Sequence, residues 1–476
     1  MKVLLVNPPY SLEERYGKKL KHFGGCAEPL GLAYLAASAR NAGYEVEIID
    51  APIQNHTPVS IARKVKDEKI GLVGITMLTP MYGRAKTTVQ SIKKDSPDSV
   101  VVLGGAHPTA LPEETLLDIK SDIVVIGEGE NTFVELIRTV DKGTDLSKVK
   151  GICYRESGRV DRTDHREFEK NLDKFPVPAR DLLPMEKYFI TATRVKGSGY
   201  CRTVIAARGC PFKCAYCSHP FGRTFRAHSP ERIVTEMEEL VSKYNAKEIN
   251  IEADTLTINK SFMLSLCDAL IKSGLSKKIN WTCEARADVI DEEKLRKMKE
   301  AGCWQISVGV ESGVDRLLKE IDKGETTAQI AKKIELIHKV GITTRSFFML
   351  GLPTETHLDS MRTIEFAKKL NSDWAQFTVL IPYPGTPLFG KLKARGEIRS
   401  VNWDDYKTWG GWSDSNLPYV TEGRTEEELK YLQQYAMRRY YLRPRAVWKH
   451  LKNLTSLSKL KNYLIGLSIL LQIRKK

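Results

Sequence analysis

The chain has 476 residues, 42% apolar and 28% charged, and no low-complexity tract or internal repeat. This length implies two or three domains, and the composition excludes a disordered or fibrous protein. Nine irregularly spaced cysteines exclude a disulfide framework and point to a reducing cytosol, while the formal charge of +15 gathers beyond residue 428, where twelve Lys and Arg meet no Asp or Glu.

The opening, Met1-Lys2-Val3-Leu4-Leu5-Val6-Asn7-Pro8-Pro9, turns polar too soon for a secretory signal and reads as a first strand. From there β-branched runs at 3–6, 44–49, 71–76, 100–103 and 123–126 alternate with amphipathic stretches at 30–41, 61–67, 82–94, 113–119 and 132–140. This order predicts a Rossmann-like, doubly wound parallel sheet with ligands at the carboxyl ends of its strands. Those ends carry Pro8-Pro9, Asp50-Ala51-Pro52, Thr76-Met77-Leu78-Thr79-Pro80, Gly104-Gly105-Ala106-His107-Pro108-Thr109 and Gly127-Glu128-Gly129-Glu130. Glycines let backbone approach a bulky ligand and prolines stiffen the loops, although any one of these loops alone is an ordinary α/β turn. No G-x-G-x-x-G opens the first helix, which argues against a dinucleotide site.

Residues 143–200 lose the periodicity and read as an interdomain linker, most clearly from Phe175 to Pro184, where prolines disfavour helix and sheet alike. Alternation resumes with strands at 204–207, 248–252, 280–284, 305–310, 344–349 and 375–380, separated by helical stretches at 231–244, 261–272, 291–301, 328–340 and 357–370. Six βα units are two short of a closed eight-stranded barrel, so a partial (β/α)6 barrel is expected.

After its first strand comes Arg208-Gly209-Cys210-Pro211-Phe212-Lys213-Cys214-Ala215-Tyr216-Cys217, with cysteines separated by three and then two residues. Three thiolates so close can share one iron–sulfur cluster and leave an iron without a protein ligand. The competing reading, a zinc knot completed by His219, lacks the second ligand pair that structural zinc usually draws on. This triplet, with Tyr216 before its last cysteine, resembles the radical S-adenosylmethionine (SAM) enzymes. The resemblance implies a 4Fe-4S cluster on Cys210, Cys214 and Cys217, SAM chelated to the free iron, and reductive cleavage of SAM to a 5′-deoxyadenosyl radical. An external donor of ferredoxin or flavodoxin type would supply the electron. Later strands end in Glu252 and Asp254, Arg286 and Asp288, Gly309 and Glu311, and Gly351-Leu352-Pro353. By the same resemblance Tyr216, Glu252, Asp254, Arg286, Gly309 and Glu311 contact SAM, with Glu252 or Asp254 at its amino group and Arg286 and Glu311 at its ribose or carboxylate.

Residues 1–142 then resemble the cobalamin-binding domain that precedes the radical SAM core in a large class of these enzymes. Pro29-Leu30-Gly31-Leu32-Ala33-Tyr34-Leu35-Ala36 and the loops at Gly104 and Gly127 carry the likeness, and Ile381-Pro382-Tyr383-Pro384-Gly385-Thr386-Pro387 extends it to about residue 390. It implies cobalamin held by Pro9, Thr76, Gly104, Gly105, His107, Glu128, Gly129 and Glu130. The D-x-H-x-x-G motif that supplies a lower cobalt ligand elsewhere is absent. His107 either approaches the cofactor or bonds its own loop.

The other cysteines, Cys26, Cys153, Cys201, Cys267, Cys283 and Cys303, read as small buried apolar residues rather than an auxiliary cluster. In the mainly helical region 391–476, Trp403, Trp409 and Trp412 either pack on the barrel or line a pocket for a hydrophobic substrate. The tail 451–476 interleaves lysines with Leu, Ile and Tyr, and its apolar run is far short of the ~20 residues that span a bilayer. It is expected to lie on a membrane surface or to dock on the barrel. Nucleic acid is not an expected partner. The whole reads as a cytoplasmic, cobalamin-dependent enzyme that methylates, or closes a ring at, an unactivated carbon of a small or lipid-like substrate. A methylthiotransferase acting on RNA would want further N-terminal cysteines and a β-rich C-terminal module, and neither is present. A non-catalytic cobalamin or cluster sensor is the alternative outside enzymes.

Overall fold

A computed structural model of the chain describes residues 1–21, 24–156, 158–190, 192–197, 200–407, 412, 415–452 and 467–468. Its first sheet begins with β1 (Lys2–Asn7), β2 (Glu45–Asp50), β3 (Leu72–Thr76), β4 (Val100–Gly104) and β5 (Ile123–Val125), each at an expected place. Two strands that hydrophobic periodicity did not announce, β6 (Ile152–Glu156) and β7 (Arg159–Arg162), add an antiparallel hairpin inside the stretch read as linker. β6 pairs with β5 through buried Ile152, Cys153 and Tyr154, and β7 is held by β6 alone.

The order is β2-β1-β3-β4-β5-β6-β7, parallel through β5. Strand order reverses at β1, which opens a crevice beyond the carboxyl ends of β1 and β3. Alternation along β1 explains both faces: Val3 and Leu5 join one core with helices Leu30–Asn41 and Glu130–Lys142, while Leu4 and Val6 join the other with Pro58–Asp67 and Tyr82–Asp95. Gly143, at φ +61, ends the helix Glu130–Lys142 in the left-handed conformation that caps helices.

The second sheet contains β8 (Tyr200–Ile205); a separate two-stranded clasp of β9 (Ala207–Arg208) and β10 (Arg226–Ala227) follows in the chain, and the sheet continues with β11 (Ala246–Glu252), β12 (Asn280–Ala285), β13 (Cys303–Glu311), β14 (Thr343–Leu350) and β15 (Trp374–Val379). Its order, β15-β14-β13-β12-β11-β8, is parallel throughout, with β8 and β15 at opposite edges, so the expected partial barrel stays open. Helix Glu426–Tyr441 covers the β15 edge: the Tyr441 hydroxyl accepts from the Ala375 N–H at 3.0 Å and donates to its carbonyl at 2.8 Å. An otherwise open edge is thereby closed to pairing with other chains.

The tail 451–476 lies almost wholly outside the described residues, as does Trp409. Among the described residues no helix is long and apolar enough to cross a membrane.

Candidate active site

The chain leaves β9 and returns through β10, so residues 209–225 form a loop clasped at its base. Gly209 makes the turn at φ +86, where a Cβ would lie 2.1 Å from the Thr224 carbonyl oxygen; glycine is required. Its N–H donates to Asp254 Oδ2 at 2.6 Å. Cys210 Sγ lies 3.3 Å from Thr255 Oγ1, and Arg286 Nη1 donates to Cys214 Sγ at 3.1 Å. Between them the Ala215 N–H donates to the Ile321 carbonyl at 2.9 Å, and the Ala215 carbonyl accepts from the Leu388 N–H at 2.8 Å. The three thiols thus sit on a loop tied to the barrel on both sides.

Burial, with Cys214 and Cys210 close by, pushes the Cys217 thiol up to about 12. Soft donors that crowd one another in this way fit a cationic cluster of several irons, which neutralises the thiolate charge on binding. Among the described residues no three His, Cys, Asp or Glu side chains converge on a single-ion site, His219 included.

Beside the thiols lies a network of charges. Tyr216 Oη donates to Glu311 Oε1 at 3.0 Å, and Lys323 Nζ is 3.4 Å from the same oxygen. Arg286 donates through Nη2 to Asp288 Oδ2 and to the Lys323 carbonyl, both at 2.7 Å, with its guanidinium 3.7 Å over the Phe212 ring. Buried Glu325 approaches Lys323 at 3.3 Å and Arg286 at 3.5 Å. The β13–β14 ladder slips register between Gly309 and Glu311, and Glu311 takes φ +65. This bulge re-aims the carboxylate toward Tyr216. Gly309 leaves room for it, since a Cβ there would meet Glu311 Oε1 at 2.4 Å.

Tyr216, Arg286, Gly309 and Glu311 are therefore brought together, and Lys323 and Glu325 join them without having been foreseen. Both lie in a loop, with no strand end to mark them. Glu252 and Asp254 part company. Asp254 serves the cysteine loop through Gly209, whereas Glu252 turns its carboxylate into a cavity, accepting from Asn250 Nδ2 at 3.2 Å. The side chain is open to the cavity, yet its depth within the protein, reinforced by Glu284, pushes that carboxyl up to about 7.

The cavity measures about 570 Å³, within the usual range for a small-molecule site. The first sheet contributes Leu78, Thr79 and Ala106 at the ends of β3 and β4; the cysteine loop contributes Tyr216 and Ser218 on either side of Cys217; the second sheet contributes Glu252, Arg345 and Gln376. Tyr383, from the Pro-Gly segment after β15, closes one side.

The residues expected to hold cobalamin divide into two groups. Pro9, Thr76, Gly104, Gly105 and Gly129 stand at the strand ends as the sequence suggests. Gly104 has only Val125 Cβ, at 4.0 Å, near the place of a missing Cβ, an open backbone face that suits a flat ligand. His107 is turned inward. Its ring is 1% exposed, Nδ1 lies 3.1 Å from Thr79 Oγ1, and Tyr82 and Trp403 enclose it at 5.1 and 4.9 Å. Burial lowers its pKa to about 4, so it is a neutral core residue with no face left for a cofactor. The same contacts place Trp403 in packing rather than in the cavity wall.

Glu128 and Glu130 are also corrected. Their carboxylates turn to arginines of the cysteine-loop clasp: Arg208 reaches Glu128 at 3.1 Å and Glu130 at 2.5 Å, and Arg226 reaches Glu128 at 2.8 Å. All four groups are buried, and two anions against two cations leave no net charge to bury.

Residues 20–137 match the family model for a B12 binding domain and residues 204–367 that for the radical SAM superfamily. An uncharacterized methyltransferase of Pyrococcus horikoshii is 36% identical over 452 residues, 94% of either chain. The anaerobic magnesium-protoporphyrin IX monomethyl ester cyclase of Rubrivivax gelatinosus is 31% identical over 84% of this chain and 71% of its own length. In fold, the chain is similar to the radical SAM methyltransferase TsrM from Kitasatospora setae, solved with cobalamin and a 4Fe-4S cluster. The TM-score is 0.69 at 18% identity, over 84% of this chain and 80% of that one.

Proposed function

Because this chain belongs to the radical SAM enzymes that carry a B12-binding domain, we propose that it methylates an unactivated carbon of a small molecule held between its two sheets. Its cofactors are a 4Fe-4S cluster, SAM and cobalamin. When bound, they supply a 5′-deoxyadenosyl radical and a transferable methyl group.

The protein's part is to hold and orient. We assign Cys210, Cys214 and Cys217 as the cluster ligands, with the Arg286 guanidinium offsetting negative charge at Cys214. Tyr216 and Lys323 fix Glu311 Oε1 beside them, in the place where the SAM ribose or carboxylate would be read. Glu252, facing the cavity, takes the amino end. Pro9, Thr76, Gly104, Gly105 and Gly129 form the cobalamin face, while Arg208 and Arg226 lock that face to the cysteine loop through Glu128 and Glu130. We take the first unit to extend through the hairpin to Arg162, and the barrel to run from about 200 to 390. The electron comes from an external donor, and the tail 451–476 supplies a membrane contact, which liposome partitioning with and without those residues tests.

One observation carries the reading: Tyr216 and Ser218, flanking Cys217, open onto the cavity that the first sheet's strand ends also line. Anaerobic reconstitution tests it. The wild-type chain should bind iron and sulfide and release 5′-deoxyadenosine from SAM, and Cys214→Ala should lose both. A Cys214→Ala protein that keeps full iron and sulfide would overturn the assignment.

A further inference from the structure

Six arginines are buried among the described residues, and five of them face a carboxylate: Arg180 with Glu236, Arg202 with Glu28, Arg208 and Arg226 with Glu128, Arg286 with Asp288. Arg345 is the exception. It stands on β14, 9% exposed, over the Phe347 ring at 5.0 Å, and its side-chain hydrogen bond among the described residues goes to the neutral Gln376, whose Oε1 accepts from Nη2 at 2.5 Å. Nη1 is buried and has no hydrogen-bond partner among the described residues. The residue lines the 570 Å³ cavity.

A buried cation without a counter-charge is costly, and hydrophobic replacement of such groups often stabilises a fold. The nearby charges relieve Arg345 only in part: Glu284 favours its charged form but is itself paired with Arg194. Arg194 also lines the cavity and is paired with Glu284, so it adds repulsion rather than a partner. Burial and that neighbour lower the Arg345 pKa to about 10, which leaves it charged at neutral pH. Glu252 stands on β11, three strands away along the sheet, and is taken by the amino end of SAM in the reading above.

Resting on that reading of the cavity, we propose that Arg345 anchors the substrate through an anionic group, and that this group is a carboxylate. A single guanidinium with one free nitrogen matches one negative charge. Of the other cations that line the cavity, Arg194 is engaged by Glu284, and Arg15 and Lys407 are less buried than Arg345, so Arg345 is the one buried anchor and a phosphate is the competing anion that the test separates. The body of the substrate is largely apolar, since Leu78, Met81, Phe189, Ile190, Tyr10 and Tyr383 supply much of the wall, with polar side chains such as Asn250 and Gln376 between them. The enzyme therefore acts on a carboxylic acid with a largely apolar body, held by its carboxylate end on Arg345 with its reacting carbon toward Tyr216 and the first sheet.

The test uses the reconstituted full-length protein and three probes of one shape: 1-naphthoate, neutral 1-naphthamide and 1-naphthyl phosphate. Naphthoate should raise the wild-type Tm and bind at least tenfold more tightly than the amide. Arg345→Gln should erase that preference while leaving amide binding as it was. Without ligand, Arg345→Met should melt at or above the wild-type temperature, because it removes an unpaired buried charge. The proposal fails if naphthoate and amide bind alike, if the phosphate binds best, or if Arg345→Met lowers the Tm by several degrees. Iron and sulfide content, measured on the same samples, reports separately on the cysteine assignment.

Discussion

Arg286 Nη1 lies 3.1 Å from Cys214 Sγ while its Nη2 holds Asp288 Oδ2 at 2.7 Å, so one guanidinium joins the cysteine loop to the end of β12. Arg286→Gln removes that cation and leaves Asp288 and buried Glu325 facing one another with less compensation. Breaking a buried pair from one side costs about 3–5 kcal/mol, and the cysteine loop loses its link to β12. Lower iron and sulfide per chain after anaerobic reconstitution, together with a lower urea midpoint, is expected. Unchanged iron content would show that Cys214 does not need Arg286, with Lys323 as the cation that remains near it.

Glu128 is the hub between the two sheets, accepting from Arg208 at 3.1 Å and from Arg226 at 2.8 Å. Glu128→Gln keeps the shape and removes the charge both arginines share. A loss of about 3 kcal/mol is expected, since an uncompensated buried charge remains. Denaturant unfolding of the apoprotein measures it. The double variant Glu128→Gln with Arg226→Gln should recover part of the loss, as coupled neighbours do.

How much of this was legible differs between elements for physical reasons. The eleven parallel strands of the two sheets announce themselves because both faces are buried, which demands apolar runs such as Val3 to Val6. The β6–β7 hairpin does not, because Arg155, Arg159 and Arg162 face solvent, only Ile152 to Tyr154 of β6 pair with β5, and β7 pairs with β6 alone. The cysteine triplet is local and was read directly. Glu128 and Glu130 were assigned to a ligand because a Gly-Glu-Gly-Glu loop at a strand end carries no sign of arginines some 80 residues later. Lys323 and Arg345 were missed for the opposite cause: the first lies in a loop, and the second lies inside a strand, upstream of the strand end where polar residues were sought.

Gly309 is fixed by its neighbour's carboxylate rather than by its own backbone. A Cβ there would stand 2.4 Å from Glu311 Oε1 and 3.1 Å from Lys323 Nζ. Gly309→Ala should push Glu311 off Tyr216, at about 1–3 kcal/mol of overpacking strain. SAM affinity should fall roughly tenfold, about 1.4 kcal/mol, as read by equilibrium dialysis. A variant that binds SAM like wild type would remove Glu311 from the SAM face.

Glu252 gives the pH dependence, and its two readouts run in opposite directions. Its place deep in the cavity, where water is scarce, and the nearby Glu284 raise its carboxyl from the ordinary range to about 7. Between pH 4.5 and 7 the unfolded chain has released this proton and the folded chain retains it, so raising pH through that window lowers stability. Buried Glu355, also pushed up to about 7, adds a slope of the same sign, so the Glu252 share is isolated by comparison with Glu252→Gln. Binding runs the other way: the amino end of SAM needs the ionised carboxylate as acceptor, so affinity should climb from pH 6 to pH 8 with a midpoint near 7. In Glu252→Gln the binding profile should be flat, and the fall in Tm across the same range should be shallower than in wild type. A wild-type SAM affinity that stays constant from pH 6 to pH 8, with the protein folded throughout, would place the amino group elsewhere.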